Sequence, residues 1–130
     1  MQSRASSEPG ATRHRDRGQA AVELALCLPL LFVFLLGIVQ LVVIVRDQLA
    51  VELAAREAAR AAAVAAEPGA ADSAAAQAVA LRPLIVGIIS TGDTVTVTVR
   101  HVTPTDVPLI GLILPDITVT AAATMALEPP

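Results

Sequence analysis

The chain contains one long apolar run near its beginning. Residues 24–45 carry no charge, and 17 of these 22 positions are Leu, Val, Ile or Phe. As an α-helix, the run would rise about 33 Å, which is enough to cross a hydrocarbon core of about 30 Å. A buried core helix is the alternative, but the 85 residues that follow are too few to surround a helix that is apolar on all sides. The pattern therefore predicts a transmembrane helix over 24–45.

Two residues inside this run, Pro29 and Gly37, are poor helix formers in soluble proteins. Both residue types are more frequent in membrane helices, so they do not contradict a span. Pro29 removes one backbone donor and predicts a slight bend.

Helical character continues past the apolar run. Nine of the 13 residues from 54 to 66 are Ala, the best helix former. The Glu-Pro-Gly sequence at 67–69 then stops the helix. The sequence therefore predicts one helix over 19–66, nearly half of which projects beyond the bilayer.

The projecting half of this helix offers two surfaces. Arg56 and Arg60 form a solvated face, or they contact acidic lipid headgroups or a partner. Rows of Ala at 54/58/62 and 55/59/63 leave a smooth surface where another helix is expected to approach closely.

The remainder, residues 67–130, predicts a small domain of mixed structure. A short helix is expected over 73–81, with Asp72 or Ser73 as its N-cap. Arg82-Pro83 ends it.

Three β-segments follow, at 84–89, 94–100 and 117–125. The second alternates without fault and places Val95, Val97 and Val99 on one face. The fold class predicted is α+β, in which a long transmembrane helix extends into a small extracytoplasmic domain with a short helix and an antiparallel sheet packed against the projecting helix.

An apolar segment at 107–115 lies between the last two β-segments. It is too short to span a membrane, and it is bounded by prolines that limit any strand. Two interpretations are open: a loop folded over the sheet, or an exposed patch for a partner or the outer leaflet. Since both Phe residues lie in the apolar run, the outer domain has no aromatic residue, and we expect it to gain stability from the membrane or from partners.

Composition excludes several classes of function. A net charge of −3 without a basic, aromatic-rich stripe argues against nucleic acid as a partner. One cysteine, Cys27, cannot form an internal disulfide or a thiolate zinc site. His101 is the one histidine after the apolar run, and nothing in the pattern pairs it with a nucleophile. We therefore expect no catalytic residue, no metal, no cofactor and no enzymatic activity.

The flanks of the apolar run predict its orientation. Residues 1–18 carry four Arg against two acids, whereas the flank that follows the run is net neutral. The positive-inside rule then places the N-terminus in the cytoplasm, with residues 1–18 as a disordered leader. A cleaved secretory signal is disfavoured because its apolar region is shorter and ends in small residues.

The junction between leader and apolar run is informative because it contains a lone acid, Glu23. This acid is either a helix-start residue at headgroup depth or a functional group. If the chain were cut after Gly18, Gln19 would become the new amino terminus. Its ammonium and the Glu23 carboxylate would then lie one helical turn apart, in the same copy or between adjacent copies. Such pairs are better attested for setting register than for adding stability.

Gly18 and Glu23, followed by an uninterrupted apolar helix, resemble the processing site of type IV prepilins and pseudopilins. The longer stretch 17–66, including Leu-Pro-Leu-Leu at 28–31, resembles the TadE-like family of pilus-assembly proteins, and 118–128 resembles it more weakly. The resemblance implies a minor pseudopilin of the tight-adherence (Tad) pilus and secretion system. It also implies that a membrane prepilin peptidase cuts between Gly18 and Gln19. Gln19 stands where pilins often have Phe.

Pattern and resemblance together predict a single-pass protein of the bacterial cytoplasmic membrane, with its C-terminus outside. Its expected partners are the lipid bilayer, other pilin or pseudopilin subunits, membrane assembly proteins and a prepilin peptidase. The alternative is an uncleaved signal-anchor protein whose outer domain is a binding or accessory module.

Overall fold

The structure, a computed structural model, describes residues 11–65, 67 and 69–127, with side chains from residue 18 onward. Two helices precede three strands. These elements are α1 (Ala11–Val64), α2 (Ala70–Ala78), β1 (Ile85–Thr91), β2 (Thr94–Thr103) and β3 (Ile117–Ala126). The α+β prediction, with its long apolar helix, short helix and antiparallel sheet, is confirmed.

The helix α1 is unbroken for 54 residues and passes through Pro29. At 1.5 Å per residue it is about 81 Å long. The sequence predicts it over 19–66; the structure begins it at Ala11, inside the predicted leader, and ends it at Val64. The first ten residues of that leader, and Ala66 at the predicted helix end, lie outside the described residues.

The second helix differs from its prediction at both ends. It begins at Ala70, not Ser73, because Gly69 at the N-cap adopts a left-handed φ of 89°, which glycine tolerates, and the chain reverses at once after α1. Asp72 therefore lies in the first turn, where its charge favours the helix dipole, and makes no cap. The helix ends at Ala78, where the backbone of Val79 becomes extended, and the Arg82 guanidinium donates to the carbonyl oxygens of Ala76 and Val79.

The three strands form an antiparallel sheet in the order β1-β2-β3. A tight turn at Gly92 and Asp93 joins the first two strands, with Gly92 at a φ of 57°. Val97 is in register with Ile88 on one side and Ala123 on the other. The predicted inner face of β2 is confirmed, since Val95, Val97 and Val99 are buried.

The core of the domain lies between this sheet, α2 and the second half of α1. The buried apolar side chains of α1 are Val51 and the alanines at 54, 55, 58, 59 and 63. The Ala rows therefore permit the close approach that was predicted, and the elements that approach are the helix α2 and the sheet of the same chain. Because the alanine side chain is a single methyl group, a sheet and a short helix can both pack close to the α1 backbone.

Candidate functional site

The predicted processing junction lies on the exposed beginning of α1. Gly18, Gln19 and Glu23 are all exposed, and a Cβ added at Gly18 would meet no described atom within 4 Å. The Gln19 side-chain Nε2 donates a hydrogen bond to Glu23 Oε1 at 3.1 Å. The helix thus already brings these two residues together across one turn.

This geometry suits an ionic pair after cleavage. A cut before Gln19 would leave an ammonium on the backbone nitrogen of the residue whose side chain already contacts Glu23. In a low-dielectric setting an unpaired carboxylate is costly, and an ammonium one turn away, or on an adjacent helix, would neutralise it. Cleavage itself stays a prediction.

The apolar part of α1 is not a core helix. Only 6% of its most apolar 18-residue window is buried, whereas the core helix of a soluble protein is mostly buried. Most of its large side chains from Leu24 to Leu35 are exposed. This helix therefore fits a membrane protein, and the span over 24–45 stays the prediction for its limits.

Pro29 and Gly37 lie within this apolar surface. Pro29 is exposed and does not end the helix. Gly37 is half-buried, and a Cβ there would meet nothing within 4 Å in the described part of the chain. Packing within this chain therefore does not require glycine at 37, and the space beside it is open.

Arg56 and Arg60 lie on the exposed face of α1, opposite the alanines. Arg56 Nη2 is 3.8 Å from Glu52 Oε2, a surface pair of little energetic weight. By helical rise the two arginines are about 16 and 22 Å beyond Val45, whereas the headgroup region is only about 5–7 Å thick. Arg56 and Arg60 are therefore better placed to contact a partner in solution than to contact lipid headgroups.

A comparison with known protein families covers most of α1. Residues 18–60 match the TadE-like protein family. The match begins at the glycine of the predicted cleavage site, covers about a third of the chain, and confirms the resemblance over these residues. No curated protein and no solved structure matches the chain. Together with the apolar helix, the match indicates a membrane protein related to Tad pilus assembly.

Two buried polar residues of the TadE-like segment were missed by the sequence analysis. Gln40 is 3% exposed and Asp47 is 5% exposed, and Gln40 Nε2 has no hydrogen-bond partner among the described residues. A signal existed for the first: Gln40 is the one amide in the apolar run. Asp47 is the second residue after the run, next to Arg46, and its sequence context is that of an ordinary solvated charge.

Both residues line a cleft of about 590 Å³ between α1, the segment that follows α2, and the end of β2 with the chain that follows it. Its other polar lining residues are Arg46, Arg82, His101 and Asp106. His101 Nδ1 is 2.9 Å from the Pro83 carbonyl oxygen, so the buried ring ties β2 to the segment before β1. Within residues 18–65, 67 and 69–127, no group of three His, Cys, Asp or Glu side chains could hold a metal ion.

Proposed function

We propose that this chain is a non-enzymatic, single-pass, pseudopilin-like subunit of a Tad-type pilus or secretion system. The observation that carries the proposal is the start of the TadE-like match at Gly18, directly before the Gln19–Glu23 contact and the exposed apolar helix. The protein would lie in the bacterial cytoplasmic membrane with its N-terminus inside and its C-terminal domain outside. The excess of Arg before the apolar run supports this orientation.

The proposed mechanism is lateral assembly. The apolar helix holds the subunit in the bilayer until it meets neighbouring copies or other pilin-like subunits. The Glu23 carboxylate and the new ammonium of Gln19 then set the axial register of adjacent helices. The second half of α1, whose alanine face holds the outer domain, presents Arg56 and Arg60 to partner subunits or membrane assembly proteins.

Intact mass spectrometry of the protein purified from its native membrane tests the proposed function. We expect a mass that begins at Gln19, because a prepilin peptidase would remove residues 1–18. The same mass reveals whether Gln19 keeps a free amine, is methylated or has cyclised with loss of ammonia; only the first two retain the charge that the register mechanism needs. A Gly18→Val variant should remain uncut and serves as the control.

A mass that begins at Met1 would contradict the processing step. It would favour the second candidate, an uncleaved signal-anchor protein with an accessory outer domain. The exposed helix and the packed domain serve either candidate, so the mass of the native protein decides between them.

A further inference from the structure

The loop between β2 and β3 exposes apolar side chains to an unusual extent. Its nine residues 107–115 carry no charge and lie between Asp106 and Asp116. Ile110 is buried, but Leu112 is 86% and Ile113 is 75% exposed, and Leu109 and Leu114 are exposed as well. Such a contiguous patch is unfavourable in water and marks a surface that meets lipid or protein.

The position of this loop along α1 follows from the contacts of β2. Val95 lines a pocket with Ala62, whereas His101 lines the juxtamembrane cleft with Asp47. The strand therefore runs antiparallel to α1, toward the apolar half. From Val95 to His101, six strand residues advance about 20 Å. From Ala62 to Asp47, 15 helix residues advance about 22 Å, so the two distances agree. Thr103, two residues on, reaches about the level of Val43, and the loop begins beyond it.

Contacts of the loop itself confirm this level. Val107 and Pro108 line the same cleft as Leu36 and Val39 of α1. These helix residues lie inside the apolar run. The exposed apolar side chains of the loop therefore stand beside the part of α1 that also exposes apolar side chains.

The loop is folded onto itself, with its backbone partly satisfied. Backbone hydrogen bonds join Gly111 N to Val107 O at 3.0 Å and Leu114 N to Ile110 O at 2.9 Å. At the neck, Thr105 N donates to Asp116 Oδ1 at 3.0 Å and Thr105 Oγ1 donates to Pro115 O at 3.0 Å. A Cβ on Gly111 would collide with the Thr105 carbonyl oxygen, so the loop closes tightly against its neck.

We propose that this loop inserts into the bilayer beside α1, at the boundary between headgroups and acyl chains on the domain's side. Irregular backbone is not tolerated in the hydrocarbon centre of a bilayer, but it is tolerated in the interface. Apolar side chains there are buried to a depth of about 5–10 Å. Continuity with the exposed face of α1 favours lipid over a protein partner. The proposal requires α1 to cross a bilayer and does not depend on cleavage or on pilus assembly.

Insertion of the loop also defines the limits of the span. If the boundary lies near Leu41, a span of about 20 residues begins near Val22, slightly earlier than the predicted 24–45. Glu23 then lies at the opposite boundary. Gln40 is buried and lines the same cleft as Val107 and Pro108 of the loop, so this amide in the apolar run does not face lipid.

Fluorescence offers a clean test because the chain has no Trp and no Tyr. The full-length Leu112→Trp chain is reconstituted alone into phosphatidylcholine–phosphatidylglycerol vesicles that contain lipids brominated at different acyl depths. We expect quenching by shallow bromines at least about threefold stronger than for Ile89→Trp, because only the first ring lies in the interface. Ile89 is the matched control, since it is 65% exposed but lies on β1 near its turn to β2.

Two further variants make the outcome decisive. Ile113→Trp should behave like Leu112→Trp, and Phe32→Trp, exposed in the middle of the span, should be quenched most by deep bromines. If Leu112→Trp is quenched no more than Ile89→Trp, the loop lies in water and the proposal is wrong. Emission that shifts to the blue only when other membrane proteins are added would assign the loop to a protein partner and would equally overturn it. Neither failure affects the mass test of processing.

Discussion

Replacing Val97 with Asp is expected to unfold the outer domain while α1 stays in the membrane. Val97 is fully buried in the centre of the sheet, between Ile88 and Ala123. An uncompensated buried charge costs about 3–5 kcal/mol, and a core this small rarely supplies more than about 3–5 kcal/mol in total. We expect the domain of the full-length variant, in detergent micelles, to be digested by protease at least about tenfold faster than the wild-type domain.

The same strand provides the matched control. Val102 is 41% exposed, so a carboxylate there keeps its contact with water. Val102→Asp should change stability by less than about 1 kcal/mol and leave the domain resistant to protease. If Val97→Asp were as resistant as Val102→Asp, the assignment of the valine face to the core would be wrong.

Replacing Glu23 with Ala is expected to abolish assembly without impairing membrane insertion. Insertion should persist or improve, because the substitution removes an acid from the edge of the apolar run. Assembly should fail because the ammonium of a neighbouring Gln19 loses its carboxylate, at a cost of about 3–5 kcal/mol, or a factor of roughly 10² to 10⁴ in association. The measurement is the fraction of processed protein found in high-mass complexes.

The Gln19→Ala variant distinguishes the role of the Glu23 carboxylate from the role of its hydrogen bond with the Gln19 side chain. This variant removes the side-chain hydrogen bond from Gln19 Nε2 to Glu23 Oε1 but keeps both the backbone amine and the acid. It should assemble almost normally. Equal losses in the two variants would indicate that the side-chain contact matters and the amine does not, and normal assembly of Glu23→Ala would contradict the register mechanism.

The elements that could be predicted are those whose hydrophobic pattern reflects a single boundary, either between lipid and water or between the protein core and water. The run over 24–45 is apolar and uncharged along its whole length, so composition alone reveals it. The alternation from Val95 to Val99 separates a buried from an open face of the sheet, and the structure places those residues as expected. Burial on one side of a strand is encoded locally, residue by residue.

What could not be predicted depends on contacts between distant segments. The alanines of α1 predict a close neighbour but not which one, and here the neighbour is the chain's own sheet and α2. The burial of Gln40 depends on where β2 ends relative to α1, which no local pattern records. The start of α2 depends on the left-handed backbone of Gly69, a turn residue that reads from sequence only as a helix stop.

The helix α1 therefore joins two environments in one continuous element. From Gly18 to about Val39 its side chains are open to the surroundings, and from Val51 to Ala63 one face is covered by the domain. Between them lie the cleft with Gln40 and Asp47 and the apolar loop. Movement of the helix along or within the bilayer would carry the domain rigidly with it, since the core is built on the helix itself.

In the proposed topology, α1 crosses a bilayer once and the domain lies on the far side from the N-terminus. Labelling of a single thiol tests this topology: Cys27→Ser removes the native thiol, and Ser73→Cys adds an almost isosteric one on the exposed surface of α2. We expect a membrane-impermeant maleimide to label spheroplasts as fully before lysis as after it. Labelling only after lysis would place the domain inside the cell and rule out the proposed topology.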